Sequence, residues 1–165
     1  MRRLAAVVTL LSGLALCAAP ASSGELAAGS RAPLFALSDL AGKQVLLSDY
    51  KGRVVLLHFW ATWCAVCRQE MPILEEVSRA HADDVAVLAV NLGERPRKVR
   101  AYVEGSGLTF PVLMDSRGKV AEEYGVLSLP VTLIVGRDGR VADRILMGDL
   151  NRLDLAERLR HLAGP

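Results

Sequence analysis

One passage of the chain constrains it more than any other. Val54 to Trp60 is apolar throughout except for His58, and a few positions later a helical apolar period takes over. A strand that is apolar on both of its alternating sides belongs in the middle of a sheet with both faces covered. Beyond it, Ile73, Leu74, Val77 and Ala80 recur at helical spacing, with Glu75, Glu76 and Arg79 on the outer side. That spacing predicts a helix from about Cys64 to about Ala82, kinked at Pro72, where the backbone loses a donor. A buried strand running directly into an amphipathic helix commits the chain to an α/β sheet.

The flanking pattern agrees. Val85 to Val90 reads as a second buried strand, and Arg97 to Glu104 as a helix opened by Pro96 and closed by Gly105. Phe110 to Met114 is a short strand and Val120 to Tyr124 a short helix. Val131 to Val135 and Val141 to Met147 are joined by Arg137-Asp138-Gly139-Arg140, a hairpin with an Asp-Gly turn. Asp149 or Asn151 can cap a last helix reaching Leu162, with Leu153, Leu155, Leu159 and Leu162 as its apolar members. Upstream, Leu34 to Leu37 and Val45 to Leu47 flank Asp39 to Gly42 as another hairpin. The expected fold is a mixed central sheet flanked by helices, with an added N-terminal β-hairpin. With 165 residues, 52% hydrophobic and 23% charged, the chain has material for one well-filled domain and is too apolar for disorder.

The N-terminus has a different character. Arg2 and Arg3 precede an apolar stretch, Leu4 to Leu16, and Ala19-Pro20-Ala21 offers a small-residue cleavage site. Residues 1–21 are therefore expected to be a secretory signal peptide, 22–30 a flexible lead and 31–165 the folded domain. The apolar stretch is short of the roughly 20 residues a bilayer requires, which disfavours a membrane anchor. Leu16 occupies the place before Cys17 where a lipoprotein signal carries a small residue. Without Arg2 and Arg3 the 20 basic residues become 18, equal to the 18 acidic ones, so the mature chain is neutral and unsuited to nucleic acid. It would keep two cysteines, Cys64 and Cys67, in a compartment where disulfides persist.

Trp63-Cys64-Ala65-Val66-Cys67 falls where the buried strand meets the helix. Three residues separate the cysteines, close to one helical turn, so both sulfurs fall on one side at bonding distance. Cys64 at the helix start faces unpaired N–H groups and the positive end of the macrodipole, which favour a thiolate. Cys67, a turn deeper, is suited to resolving a mixed disulfide. Half of a zinc site is a poor alternative, because no second cysteine pair exists and His81 and His161 lack ligand spacing. An inert structural disulfide seldom opens a helix beside an aromatic cluster such as Phe59, Trp60 and Trp63.

The segment Val54-Val-Leu-Leu-His-Phe-Trp-Ala-Thr-Trp-Cys-Ala-Val-Cys-Arg-Gln-Glu-Met-Pro72 resembles the active-site segment of the thioredoxin superfamily, and most of all its extracytoplasmic TlpA/ResA group. Ala32-Pro33, Leu40-Ala-Gly-Lys43, Leu47-Ser-Asp-Tyr50-Lys-Gly52, Tyr124-Gly-Val126, Pro130-Val-Thr-Leu-Ile-Val135 and Asp138-Gly139 extend the resemblance over Gly29 to Ala163. It implies a thiol–disulfide oxidoreductase that reduces protein disulfides, apocytochrome c among them, is recharged by a membrane electron donor, and needs no cofactor. It is expected to be a monomer.

The resemblance also makes Pro130 a cis-proline facing the cysteines, with Leu129 offering backbone groups to an extended substrate and Trp63 bordering the site. Ser128 and Val131 depart from the group's usual neighbours, as does the Ala65-Val66 pair between the cysteines, which lacks the common proline. Glu70 matches an acidic residue that in this group tunes the cysteine pair, its other reading being a solvated first-turn glutamate. His58 stands where cytosolic thioredoxins carry a buried aspartate. It is either a proton relay for Cys67 or a satisfied core histidine. Two further function classes remain open. A thiol peroxidase is suggested by Thr62 two residues before Cys64, and a copper carrier would use Cys64, Cys67 and His58.

Overall fold

The computed structural model describes residues 25–163, so the signal-peptide expectation and Cys17 lie outside the described residues. Seven strands form one mixed sheet: β1 (Ala36–Asp39), β2 (Gln44–Leu46), β3 (Val54–Trp60), β4 (Val85–Leu92), β5 (Val112–Asp115), β6 (Val131–Val135) and β7 (Val141–Leu146). Their order is β2-β1-β5-β4-β3-β6-β7. The helices are α1 (Ala65–Ala80), α2 (Pro96–Ser106), α3 (Lys119–Glu123) and α4 (Arg152–Ala163). The N-terminal hairpin β1–β2 forms as expected and extends the sheet through an antiparallel pairing of β1 with β5.

β3 is buried at every position and lies between parallel β4 and antiparallel β6. Its alternation feeds two separate cores. Val54, Leu56 and Trp60 join Met71, Leu74 and Val77 of α1, Val99 of α2 and Leu155 and Leu159 of α4. Val55, Leu57 and Phe59 face the other way, onto Phe35, Ala121 and Tyr124. By the period of two, His58 lies on the same side as Leu56 and Trp60, the side covered by α1 and α4. This parity decides what the histidine can meet.

Several boundaries differ from expectation. α1 runs from Ala65 through Pro72 to Ala80, and its buried stripe is Cys67, Glu70, Met71, Leu74 and Val77, so Ala80 is exposed and Ile73 only partly covered. The stripe is displaced because it follows the site at the helix start, where Cys67 and Glu70 point inward. α2 passes through Gly105 and stops at Gly107, whose φ of 69° is the left-handed C-cap conformation glycine adopts without strain. β5 starts at Val112, two residues later than the sequence suggested, and β7 stops at Leu146. Asn151 accepts from the Asp154 N–H at 2.9 Å and so caps α4. Leu153 of that helix is 84% exposed, leaving Leu155 and Leu159 to anchor it. Within the stretch expected to be a lead, Gly29 donates to Val141 O at 2.7 Å and Glu25 pairs with Arg144 at 2.7 Å.

Candidate active site

The parallel pairing of β3 with β4 brings their carboxyl ends together, with Trp60 opposite Asn91. The loops leaving those two ends build most of the site, as open α/β sheets generally arrange. After β3 the chain turns at once: Cys64 N–H donates to Ala61 O at 3.1 Å, and α1 begins. Cys64 is the N-cap of α1, and its Sγ accepts from the Cys67 N–H at 3.2 Å. Sulfur thus takes the place a serine or aspartate oxygen fills at other helix starts. Cys64 and Cys67 form a disulfide with Cα atoms 5.3 Å apart. Cys64 is 7% exposed and Cys67 fully buried, the asymmetry expected of an outer and an inner thiol. Trp63 beside them is 66% exposed.

The Leu129–Pro130 peptide bond is cis, and Leu129 packs against the cluster that contains both cysteines. Leu146 of β7 pairs with Val131, so Met147 emerges beside Pro130. Met147 is 58% exposed and Leu127, three residues before Pro130, is 95% exposed. Trp63, Leu127 and Met147 are thus exposed apolar side chains on the segments that carry Cys64, Pro130 and the end of β7.

Glu70 and His58 approach each other where α1 covers β3. Glu70 is buried at 4% exposure, which excludes the solvated-glutamate reading. Its Oε1 accepts from the Gly148 N–H at 3.3 Å, and its Oε2 lies 3.9 Å from His58 Nδ1, beyond hydrogen-bonding range. Burial pushes the Glu70 carboxyl up to about 7, and the nearby Asp149 charge adds to the rise while the Gly148 N–H opposes it. His58 is fully buried, and burial drives its pKa down to about 3. The imidazole is therefore neutral, and its approach to Glu70 is not an ion pair. His58 Nδ1 lies 2.8 Å from Thr132 Oγ1, while Nε2 is buried without a hydrogen-bond partner among the described residues.

One participant escaped the sequence reading. Glu94, in the loop after β4, accepts from the Thr62 N–H at 2.6 Å, from Thr62 Oγ1 at 2.7 Å and from Asn91 Nδ2 at 2.9 Å, and pairs with Lys98 at 2.7 Å. Burial alone would raise its pKa, but the hydrogen bonds from Asn91, Lys98 and Thr62 outweigh burial and hold it at about 2. The signal that could have found it is topological. Two predicted parallel strands, β3 and β4, must place Thr62 and Glu94 on neighbouring loops.

Among the described residues no three His, Cys, Asp or Glu side chains gather as a metal site. No helix among them is long and apolar enough to cross a membrane.

Residues 28–144 match the model of the AhpC/TSA family. The chain is 41% identical over 135 residues to the thiol-disulfide oxidoreductase ResA of Geobacillus thermodenitrificans, covering 81% of this chain and 77% of that one. It is 42% identical over 134 residues to the thioredoxin-like protein YneN of Bacillus subtilis, covering 79% and 78% respectively. Among solved structures, a candidate thiol:disulfide interchange protein DsbE from Chlorobium tepidum superposes with a TM-score of 0.78 at 31% identity, over 85% of this chain and all of that one. A helix-capping cysteine pair on a thioredoxin-like sheet and these relatives lead to one conclusion: the chain belongs to the AhpC/TSA family, as a thioredoxin-like thiol–disulfide oxidoreductase.

Proposed function

We propose that the protein works outside the cytoplasm as a reductant of protein disulfides, with Cys64 as the attacking thiol and Cys67 as the resolving one. In the reduced protein the Cys64 thiolate attacks one sulfur of a substrate disulfide, forming a mixed disulfide and releasing the other substrate sulfur as a thiolate. The Cys67 thiolate then attacks Cys64 Sγ, closing Cys64–Cys67 and releasing the second substrate thiol. Two electrons pass to the substrate, and a membrane electron donor returns them. The observation that carries this reading is the position of Cys64 Sγ at the N-cap of α1, outermost of the pair, where the helix start stabilises a thiolate.

Two features support a polypeptide substrate. Trp63, Leu127 and Met147 supply an apolar rim, and Leu129 with cis Pro130 forms the wall along which an extended segment passes. The resemblance to the TlpA/ResA group points to apocytochrome c as one substrate class. Beneath the pair, Glu70 is the group that titrates near neutrality. His58 stays neutral, with Nδ1 engaged by Thr132 and Nε2 left to hydrogen-bond the reduced Cys67 thiol. The relay is then a neutral hydrogen bond, since an imidazolium is unfavourable at this depth.

Equilibration against defined thiol buffers tests the direction of transfer. A potential near the thioredoxin value of about −270 mV is expected, whereas one near about −120 mV makes the protein a disulfide donor instead. Cys64→Ser should abolish turnover of a protein disulfide, and Cys67→Ser should accumulate the mixed disulfide.

A further inference from the structure

We infer that Glu94 is a positioning residue for Cys64, holding the loop that delivers the attacking thiol to the start of α1. The inference rests on the assignment of Cys64 as the attacking thiol. Between the end of β3 and Cys64 there are only three residues, Ala61, Thr62 and Trp63. Ala61 is tied through its carbonyl to Cys64 N–H at 3.1 Å, and Trp63 projects to solvent. Thr62 is thus the loop's side-chain attachment to the body of the protein. Both of its donors, N–H and Oγ1–H, end on the Glu94 carboxylate at 2.6 and 2.7 Å.

The carboxylate is itself held from three directions. Asn91 reaches it from the end of β4 at 2.9 Å, Lys98 from the first turn of α2 at 2.7 Å, and Thr62 from the active-site loop. Glu94 is 9% exposed, so water competes little for these bonds. Sequence separation between Thr62 and Glu94 is 32 residues, and nothing local requires their pairing. A side chain that saturates its oxygens on a three-residue link next to the reactive sulfur fixes where that sulfur sits relative to the N–H groups of α1. Bonds of this kind act on the reaction through geometry, because a displaced Sγ loses alignment with the helix-start donors.

The geometric account and a simple charge account predict opposite signs. Replacing Glu94 by glutamine removes an anion and leaves Lys98 unbalanced, which through space would lower the thiol pKa of Cys64. Releasing the loop does the reverse, because the thiolate loses its hydrogen bonds. The experiment is the pH profile of iodoacetamide alkylation of the reduced full chain, with the labelled cysteine identified by peptide mass. Labelling of Cys67 before Cys64 in the unsubstituted protein would defeat the assignment of roles, and is separate from the test of Glu94.

With Cys64 labelled first, Glu94→Gln should move the profile upward and slow alkylation at pH 7 about tenfold. Thr62→Val keeps the charge and the Thr62 N–H bond, so it should move the profile the same way by about threefold, and Thr62→Ser should restore it. A downward shift in Glu94→Gln, or profiles coincident with the unsubstituted protein in Glu94→Gln or in Thr62→Val, overturns the inference. Should Glu94→Gln fold poorly, Thr62→Val and Thr62→Ser decide it alone.

Discussion

Two buried carboxylates flank the cysteine pair and behave in opposite ways. Glu94, on the β4 side, is held down at about 2, whereas Glu70, on the α1 side, is raised to about 7. Both are nearly inaccessible, at 9% and 4% exposure, and burial raises both; for Glu94 its partners reverse that rise. Glu94 receives two bonds from Thr62, one from Asn91 and a cation from Lys98. Glu70 receives one 3.3 Å bond from Gly148, faces a neutral imidazole at 3.9 Å, and feels the like charge of Asp149. Hydrogen-bond supply decides whether a buried acid is a fixed anchor or a titrating group. The molecule has placed one of each beside its redox centre.

Stability against pH gives the largest test of that contrast. A Glu94 pKa of about 2 against an unfolded value of 4.5 contributes stability that is full above 4.5 and lost as pH falls through 2. At pH 7 this is about 3 kcal/mol, about half of that at pH 3, and little by pH 2. Glu94→Ala should therefore lower the urea-unfolding free energy by about 3 kcal/mol at pH 7, with the deficit shrinking towards pH 2. A deficit of constant size across that range would mean that the ionised form of Glu94 is not what matters.

Glu70 should give the mirror image at about the same size. Its raised value means that the folded state holds a proton which the unfolded chain has released, so it costs stability as pH rises from 4.5 to 7. Glu70→Gln keeps an acceptor for Gly148 N–H and removes the charge. The variant should match the parent at pH 4.5 and be about 3 kcal/mol more stable at pH 8. The same group should bend the pH profile of disulfide exchange near 7, and Glu70→Gln should straighten it. If the bend persists in Glu70→Gln, another group titrates there and the two carboxylates are less different than their surroundings imply.

These two regions were unequally legible in the sequence. β3, α1, both hairpins and the cysteine pair follow from local period and turn chemistry, and Glu70 was marked by the resemblance to the TlpA/ResA group. The bounds that slipped, Gly105 against Gly107 for α2 and the exposed Leu153 in α4, are choices among several local signals that tertiary packing settles. Glu94 was silent because Thr62, the partner that ties it to the active-site loop, lies 32 residues away, and a glutamate before a helix reads as an ordinary solvated residue. Thr132 was silent for the same reason. Only the antiparallel register of β6 with β3 brings it opposite His58. Local chemistry can be read along the chain, but a hydrogen-bond donor contributed by another strand cannot.

Thr132 supplies the finest test, because it asks whether His58 belongs to the titrating region at all. Thr132 Oγ1 is the partner of His58 Nδ1 at 2.8 Å, and both groups are buried. Thr132→Val preserves shape and β-branching while leaving Nδ1 without that partner, which costs about 1–2 kcal/mol of stability. Since burial holds His58 neutral with a pKa of about 3, the variant should leave the Glu70 bend in the exchange profile near pH 7. Its effect should instead be a lower rate across the whole range from pH 5 to 9, because the ring loses the bond that fixes its orientation. A bend that moves with Thr132→Val would show that the imidazole and the carboxyl titrate as one unit, and the contrast would then lie between Glu94 and a coupled pair.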